Sequence, residues 1–190
     1  MSTPQAPPRR KHFSRKEYHW LQENGLFQEG QRYELFNGDI LETMPQNEPH
    51  GTLVMRLLFA MAALFGPEFV RCQMPIVLSN DTEPEPDVAI MATPGSVVIA
   101  SGDVPPATDI RLVVEVSVST LEFDAGAKAI RYAQSGIPEC WVLDVAGRAL
   151  IVHRDPTTDG YASVTRFAET ETVTPLAAPQ ATLNIVDFLP

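Results

Sequence analysis

The segment from Arg111 to Val145, RLVVEVSVSTLEFDAGAKAIRYAQSGIPECWVLDV, constrains the fold more than any other part of the chain. Its ends, within 110–116 and 139–145, are short runs that are apolar on both faces, which is typical of central strands in a sheet. Between them, residues 121–135 carry small and apolar side chains at helical spacing, and Gly136 ends the helix. The segment therefore predicts a sheet whose central strands are covered by a helix.

The rest of the chain adds helices and strands to this centre. Ser14 and Glu17 form a capping box that predicts a short helix, and the pair Asn37-Gly38 between alternating residues predicts a hairpin. A second helix is expected over 50–65, followed by Gly66-Pro67. Further strands are expected over 69–78, 87–91, 149–154, 160–167 and 171–176, and residues 92–108 are interpreted as a long loop. This order predicts an α/β fold with a mixed sheet flanked by helices and an additional antiparallel β portion.

The length of 190 residues is enough for one domain with a buried core. We expect a single domain over 13–190, preceded by a disordered arm of Pro-rich and basic residues over 1–12. No apolar run reaches the roughly 18 residues of a membrane helix, since the longest, residues 53–65, is shorter and contains Arg56. Cys72 and Cys140 lie in apolar runs, so we expect buried thiols in a reduced, cytoplasmic protein without a zinc site.

The net charge of −10 argues against a strong, non-specific nucleic-acid binder. It does not argue against a nucleic-acid enzyme, because carboxylates gathered at a metal site contribute to the charge and the metal reverses the local sign. Basic residues cluster over 9–16 and again at Arg111, Lys128 and Arg131. A chain this acidic is expected to present such a basic strip to DNA, or to recruit DNA through a partner.

Two acids stand in strand-like apolar runs, where an unpaired carboxylate is costly to bury. Glu115 lies among valines, and Asp87 follows Pro86 at the head of another apolar strand. Together with Lys128 on the following helix, they suggest a divalent-metal site for phosphodiester chemistry. Mg²⁺ prefers oxygen ligands, and a lysine near the attacking water can orient it and stabilise charge. The backbone carbonyl of Val116 would be a further ligand.

Each of these residues also has an ordinary structural explanation. Asp87 could end a loop, since Asp is common in turns. Glu115 could form a structural salt bridge with Arg111 or Arg131. Lys128 could be a solvated helix lysine.

The pattern PD, then E-x-S-x-S-T-L-x-x-D-x-x-x-K, then Y-A-x-x-G-I-P-E-x-W, resembles the Uma-type (DUF820-like) family within the PD-(D/E)XK nuclease superfamily. The resemblance covers roughly Tyr33 to Leu189. It implies a restriction-endonuclease-like fold and an endonuclease that depends on Mg²⁺ or Mn²⁺. It also implies that Asp87 and Glu115 are the metal ligands. The usual lysine two residues after the second acid is absent, and the resemblance places that lysine at Lys128 on the next helix.

The same resemblance implies accessory residues. Glu34, within Y-E-L-F-N-G, matches an accessory acid near the site, although an exposed strand glutamate would be ordinary. Asp124 and Tyr132 match positions on the helix that carries Lys128, and Tyr132 could instead pack in the core. His50 could contact a phosphate or have no role beyond the start of a helix.

Three functions are compatible with these observations. The first is a metal-dependent DNA endonuclease, which is expected to act as a homodimer because cutting two strands needs two sites. The second is a catalytically inactive nuclease-fold protein that binds or scaffolds. The third is a metal-dependent phosphohydrolase with a non-DNA substrate, over whose site the loop 92–108 could close.

Overall fold

The computed structural model describes residues 9–28, 30–43 and 48–190. The helices are α1 Arg15–Glu23, α2 Glu48–Phe65, α3 Gly95–Ser101 and α4 Ala129–Gln134, with a π-helical segment, Phe123–Lys128, directly before α4. The strands are β1 Arg32–Phe36, β2 Asp39–Thr43, β3 Val70–Cys72, β4 Val88–Met91, β5 Ile110–Ser117, β6 Glu139–Asp144, β7 Ala149–Thr157, β8 Gly160–Ala168, β9 Thr172–Val173 and β10 Leu183–Asn184.

A six-stranded mixed sheet forms the centre of the molecule, in the order β3-β4-β5-β6-β7-β8. Strands β5 and β6 are parallel, and every other neighbouring pair in this sheet is antiparallel. A parallel pair needs a long crossover, which the π-helical segment and α4 supply between β5 and β6. The pairs β1–β2 and β9–β10 are separate antiparallel units. The predicted mixed sheet with an added antiparallel portion is confirmed.

The alternation of side chains along β5 divides the core between the two faces of the sheet. Val114 packs in one apolar cluster with Leu57 of α2 and with Phe188 near the end of the chain. Val113 packs in the other cluster, with Tyr132 of α4. Glu115 follows the parity of Val113, so its carboxylate leaves the sheet on the face that α4 covers.

The predicted hairpin and first helix are both present. Asn37 and Gly38 have φ values of 52° and 76°, the left-handed pair that a two-residue hairpin turn requires. Helix α1 begins after Ser14, whose side chain accepts from the backbone of Glu17 while the Glu17 carboxylate accepts from the Ser14 backbone. This capping box is the one expected from the sequence.

Part of the expected N-terminal arm lies on this hairpin. Residues 1–8 are outside the described residues. Arg10 forms an ion pair with Asp39 at 3.2 Å, and His12 Nδ1 lies 3.0 Å from the carbonyl oxygen of Asn37. Arg10 and His12 therefore hold this part of the arm against the hairpin.

Two element predictions are wrong. The strand expected over 69–78 ends at Cys72, because Gln73 adopts a left-handed φ of 49° and turns the chain out of the sheet. The stretch 92–108, expected to be a loop, contains α3. In the part of the chain that the structure describes, none of the helices has the length and apolar character needed to cross a membrane.

Candidate active site

A cleft of about 610 Å³ lies between the hairpin β1–β2, the end of β5 and the π-helical segment. Its lining includes most of the residues singled out in the sequence: Glu34, His50, Asp87, Glu115, Asp124 and Lys128. Tyr132 lies beneath the cleft in the core and is fully buried. No residue of 92–108 lines the cleft, so this stretch does not cover the cleft in the structure.

Lys128 is buried between two carboxylates. Its Nζ lies 3.3 Å from Glu115 Oε1 and 3.3 Å from Glu34 Oε2. Burial alone would lower the pKa of Lys128, but Glu115 and Glu34 together raise it above its ordinary value. Lys128 is 7% exposed and Glu34 is 2% exposed, so neither is the solvated residue of the alternative interpretations. The lysine therefore stays an ammonium ion at this site.

Glu115 is enclosed by the core, with 3% of its surface exposed. Besides Lys128, it accepts a hydrogen bond of 2.6 Å from the hydroxyl of Tyr132. Burial raises the pKa of Glu115 to about 8, with Asp87 adding to the shift and Lys128 opposing it. Of the two arginines considered as alternative partners, Arg111 is exposed, and Arg131 instead binds Ser79 and Thr82.

Asp87 sits immediately before β4 and is held on both of its oxygens. Its Oδ2 accepts from the backbone N–H of Val116 at 2.8 Å and lies 3.2 Å from His50 Nε2. Its Oδ1 accepts from Gln73 Nε2 at 3.1 Å. Burial would raise the pKa of Asp87, but these contacts, led by His50, hold it below its ordinary value. The hydrogen bond to Asp87 in turn raises the pKa of His50.

The π-helical segment brings Asp124 and Lys128 to the cleft together. The backbone N–H of Ala129 donates to the carbonyl of Asp124, five residues earlier, which widens this turn of the helix. The Asp124 carboxylate accepts from the hydroxyls of Ser117 and Thr120, the latter at 2.5 Å. Short π-helical turns are frequent at functional sites, and this one fixes an acid and the lysine on the same wall.

The charges of the cleft favour a bound cation. Six acidic residues line it, against Arg32, Lys128 and, when protonated, His50: Glu34, Glu42, Glu85, Asp87, Glu115 and Asp124. Among the residues that the structure describes, no three His, Cys, Asp or Glu side chains are placed to hold a metal by themselves. Mg²⁺ keeps several waters and often takes only one or two carboxylates from a protein. Asp87 and Glu115 therefore fit a hydrated Mg²⁺ or Mn²⁺.

Some residues of the site are not evident from the sequence. Gln73 is one, and its only signal is a polar residue within the apolar run FVRCQMPIVL. The hydroxyls of Ser117 and Thr120, which hold Asp124, are others. Arg32 and Glu85, which form an ion pair at 2.6 Å, also line the cleft.

Comparisons with known proteins agree with this architecture. Residues 15–186 match the family described as "Uma2: Putative restriction endonuclease". The crystal structure of "a putative nuclease belonging to DUF820 from Anabaena variabilis" matches with a TM-score of 0.63 and 18% identity, covering 82% of this chain and 88% of that chain. At this identity the likeness concerns the fold, and it confirms the predicted fold class. The comparison with curated proteins finds no match.

Proposed function

Because the chain belongs to the Uma2 family, we propose that it is a DNA endonuclease that hydrolyses phosphodiester bonds with a bound Mg²⁺ or Mn²⁺. The observation that carries this proposal is the convergence of Asp87, Glu115 and Lys128 on one cleft. Two buried carboxylates in one cleft would repel a polyanionic substrate. A bound divalent cation, together with the ammonium ion of Lys128, would reverse this local charge and let the phosphates approach.

Each side chain has a role that follows from its contacts. Asp87 and Glu115 would hold the ion, which when bound polarises a phosphoryl oxygen and lowers the pKa of a water ligand. Lys128 keeps its proton, so it acts by orienting the attacking water and by stabilising negative charge on the phosphoryl group, and not as a base. Glu34 holds Lys128 in place from the hairpin side. His50 fixes Asp87.

The proposed substrate approaches along the hairpin side of the cleft. Strand β2 lines the cleft, and the basic stretch 9–16 lies at the turn of the same hairpin through Arg10 and His12. A basic stretch beside an acidic, metal-binding cleft offers phosphates a contact outside the site. We further propose that the protein works in the cytoplasm, which agrees with the free thiols of Cys72 and Cys140.

The test is cleavage of plasmid and linear DNA with Mg²⁺, Mn²⁺ or EDTA, alongside calorimetric titration of Mn²⁺. Asp87→Asn and Glu115→Gln are expected to lose cleavage and to weaken Mn²⁺ binding. Asp103→Asn, the same kind of change at an exposed loop carboxylate, is the matched control and should leave both unchanged. Mn²⁺ binding without cleavage of any DNA would favour the inactive scaffold, and hydrolysis of nucleotides alone would favour a phosphohydrolase.

A homodimer is part of the proposal, because one cleft cuts one strand and a double-strand break needs two. Analytical ultracentrifugation at tens of micromolar, with and without DNA, tests this part separately. A monomer under both conditions would restrict the proposed activity to nicking.

A further inference from the structure

Gln73 lies directly opposite Asp87 at the point where β3 leaves the sheet. The β3–β4 ladder pairs Cys72 with Val88, and on the next rung the backbone N–H of Gln73 donates to the carbonyl of Asp87 at 3.1 Å. The φ of Gln73 is 49°, a left-handed conformation that is unfavourable for residues other than glycine, asparagine and aspartate. The backbone is therefore strained at Gln73, the residue that faces Asp87.

The side chain of Gln73 makes a second contact with the same residue. Its Nε2 donates to Asp87 Oδ1, while the backbone N–H of Val116 donates to Oδ2. The terminal torsion of an aspartate is broad and weakly restricted by itself. With donors on both oxygens, and His50 also beside Oδ2, the plane of the Asp87 carboxylate is fixed. Glycine at position 73 would relieve the backbone strain but would lack the amide that holds Oδ1.

We propose that Gln73 is a positioning residue that orients the Asp87 carboxylate toward a divalent metal ion. The inference rests on the proposed function, since it assigns Asp87 to the metal. Gln73 is not one of the residues that line the cleft, so it acts through Asp87 and does not touch the substrate. Hydrogen-bond partners of metal ligands orient those ligands, and their loss commonly weakens metal binding by about 10- to 100-fold.

Two substitutions separate positioning from a contribution to folding. Gln73→Met keeps the length of the side chain and the strained backbone but removes the donor. Gln73→Gly removes the donor and relieves the strain. The matched control is Gln134→Met, which deletes an exposed amide that donates to the carbonyl of Thr158, and neither residue lines the cleft.

The full-length variants are titrated with Mn²⁺ in a calorimeter, and their Tm is measured in EDTA. We expect the Kd for Mn²⁺ to rise about tenfold in both Gln73 variants, while their Tm values differ from each other and Gln134→Met binds like the parent. In DNA cleavage, the concentration of Mn²⁺ for half-maximal activity should rise by the same factor.

A Kd for Gln73→Met within twofold of the parent would overturn this inference and leave the proposed function standing. A weakened Kd only in the variant with the lower Tm would also overturn it, because the role would then be structural. A parent protein that binds no Mn²⁺ would overturn both this inference and the metal-dependent function.

Discussion

The hydroxyl of Tyr132 donates to Glu115 Oε1 at 2.6 Å from inside the core. Lys128 Nζ lies 3.3 Å from the same oxygen. In the described part of the chain, both contacts use Oε1, so Oε2 is the oxygen we expect to bind a metal ion. The two oxygens of Glu115 thus differ, since Oε1 is tied to the protein by both contacts.

Tyr132→Phe is expected to lower the free energy of unfolding by about 1–3 kcal/mol, because a buried carboxylate oxygen loses a donor. Since the Tyr132 hydrogen bond lowers the pKa of Glu115, its loss should raise that pKa further and weaken Mn²⁺ binding near neutral pH. Urea unfolding and calorimetry measure the two effects. Tyr161→Phe is the control: its hydroxyl donates to the carbonyl of Ile137 at 2.8 Å, so stability should fall without a change in Mn²⁺ binding. If Tyr132→Phe bound Mn²⁺ as tightly as Tyr161→Phe does, the prediction for Tyr132 would be contradicted.

Lys128→Met is expected to abolish DNA cleavage and to cost about 3–5 kcal/mol of stability, because it leaves the buried carboxylate of Glu34 without its cation. Adding Glu34→Gln to this variant should recover part of the stability, since one uncompensated charge is removed. Urea unfolding of the two single variants and the double variant gives the coupling energy. Strictly additive effects would show that Glu34 and Lys128 do not interact in solution.

The stability of the parent in EDTA is expected to fall as pH rises from about 5 to 8. The pKa of Glu115 is raised from its ordinary value of 4.5 to about 8. Between these values the folded protein holds a proton that the unfolded chain has released, so the free energy of unfolding decreases with pH. Glu115→Gln has no such proton, and its Tm relative to the parent should increase across this window. A difference in Tm that is constant with pH would show that Glu115 titrates normally.

Glu139 provides a buried charge that we expect to serve stability alone. It is fully buried at the start of β6 and accepts from Arg154 Nε at 2.8 Å, from Trp141 Nε1 at 2.9 Å and from the backbone of Leu176 at 2.8 Å. Arg154→Met should cost about 3–5 kcal/mol by leaving this carboxylate without its cation. The Kd of the Arg154→Met variant for Mn²⁺, measured at a temperature below its lowered Tm, should match that of the parent. A weakened Kd would show that this pair is coupled to the cleft.

Local sequence patterns are sufficient to predict most of the helices and strands. The capping box at Ser14, the turn at Asn37-Gly38 and the doubly apolar run of β5 each act within a few residues, so their outcomes follow from the sequence. The two errors have a different origin. Gln73 ends β3 through a backbone conformation that its residue type disfavours, and α3 forms in a stretch rich in small residues. Neither feature has a local periodic signal.

The site is predictable from the sequence where a charged residue stands in an apolar strand. Glu115 is recognisable because a charge in an apolar strand needs a partner, and Lys128 is a candidate because it lies on the helix that follows this strand. The resemblance to a family adds that this lysine replaces the usual one two residues after the acid. The partners of Asp87 could not be foreseen. Gln73 reaches it from the turn after β3 and the backbone of Val116 from β5, and such contacts depend on sheet register, which sequence spacing does not reveal.

In the π-helical segment, regular helix geometry and the placement of Asp124 beside Lys128 are incompatible. Its turn holds one residue more than an α-helix can place between the same hydrogen bonds. Removing Ala127 would let the helix close normally, but it would rotate the preceding residues by about 100° relative to α4. Asp124 would then swing away from Ser117 and leave the wall it shares with Lys128. Deletion of one codon would thus yield a more regular helix and a cleft whose wall lacks Asp124.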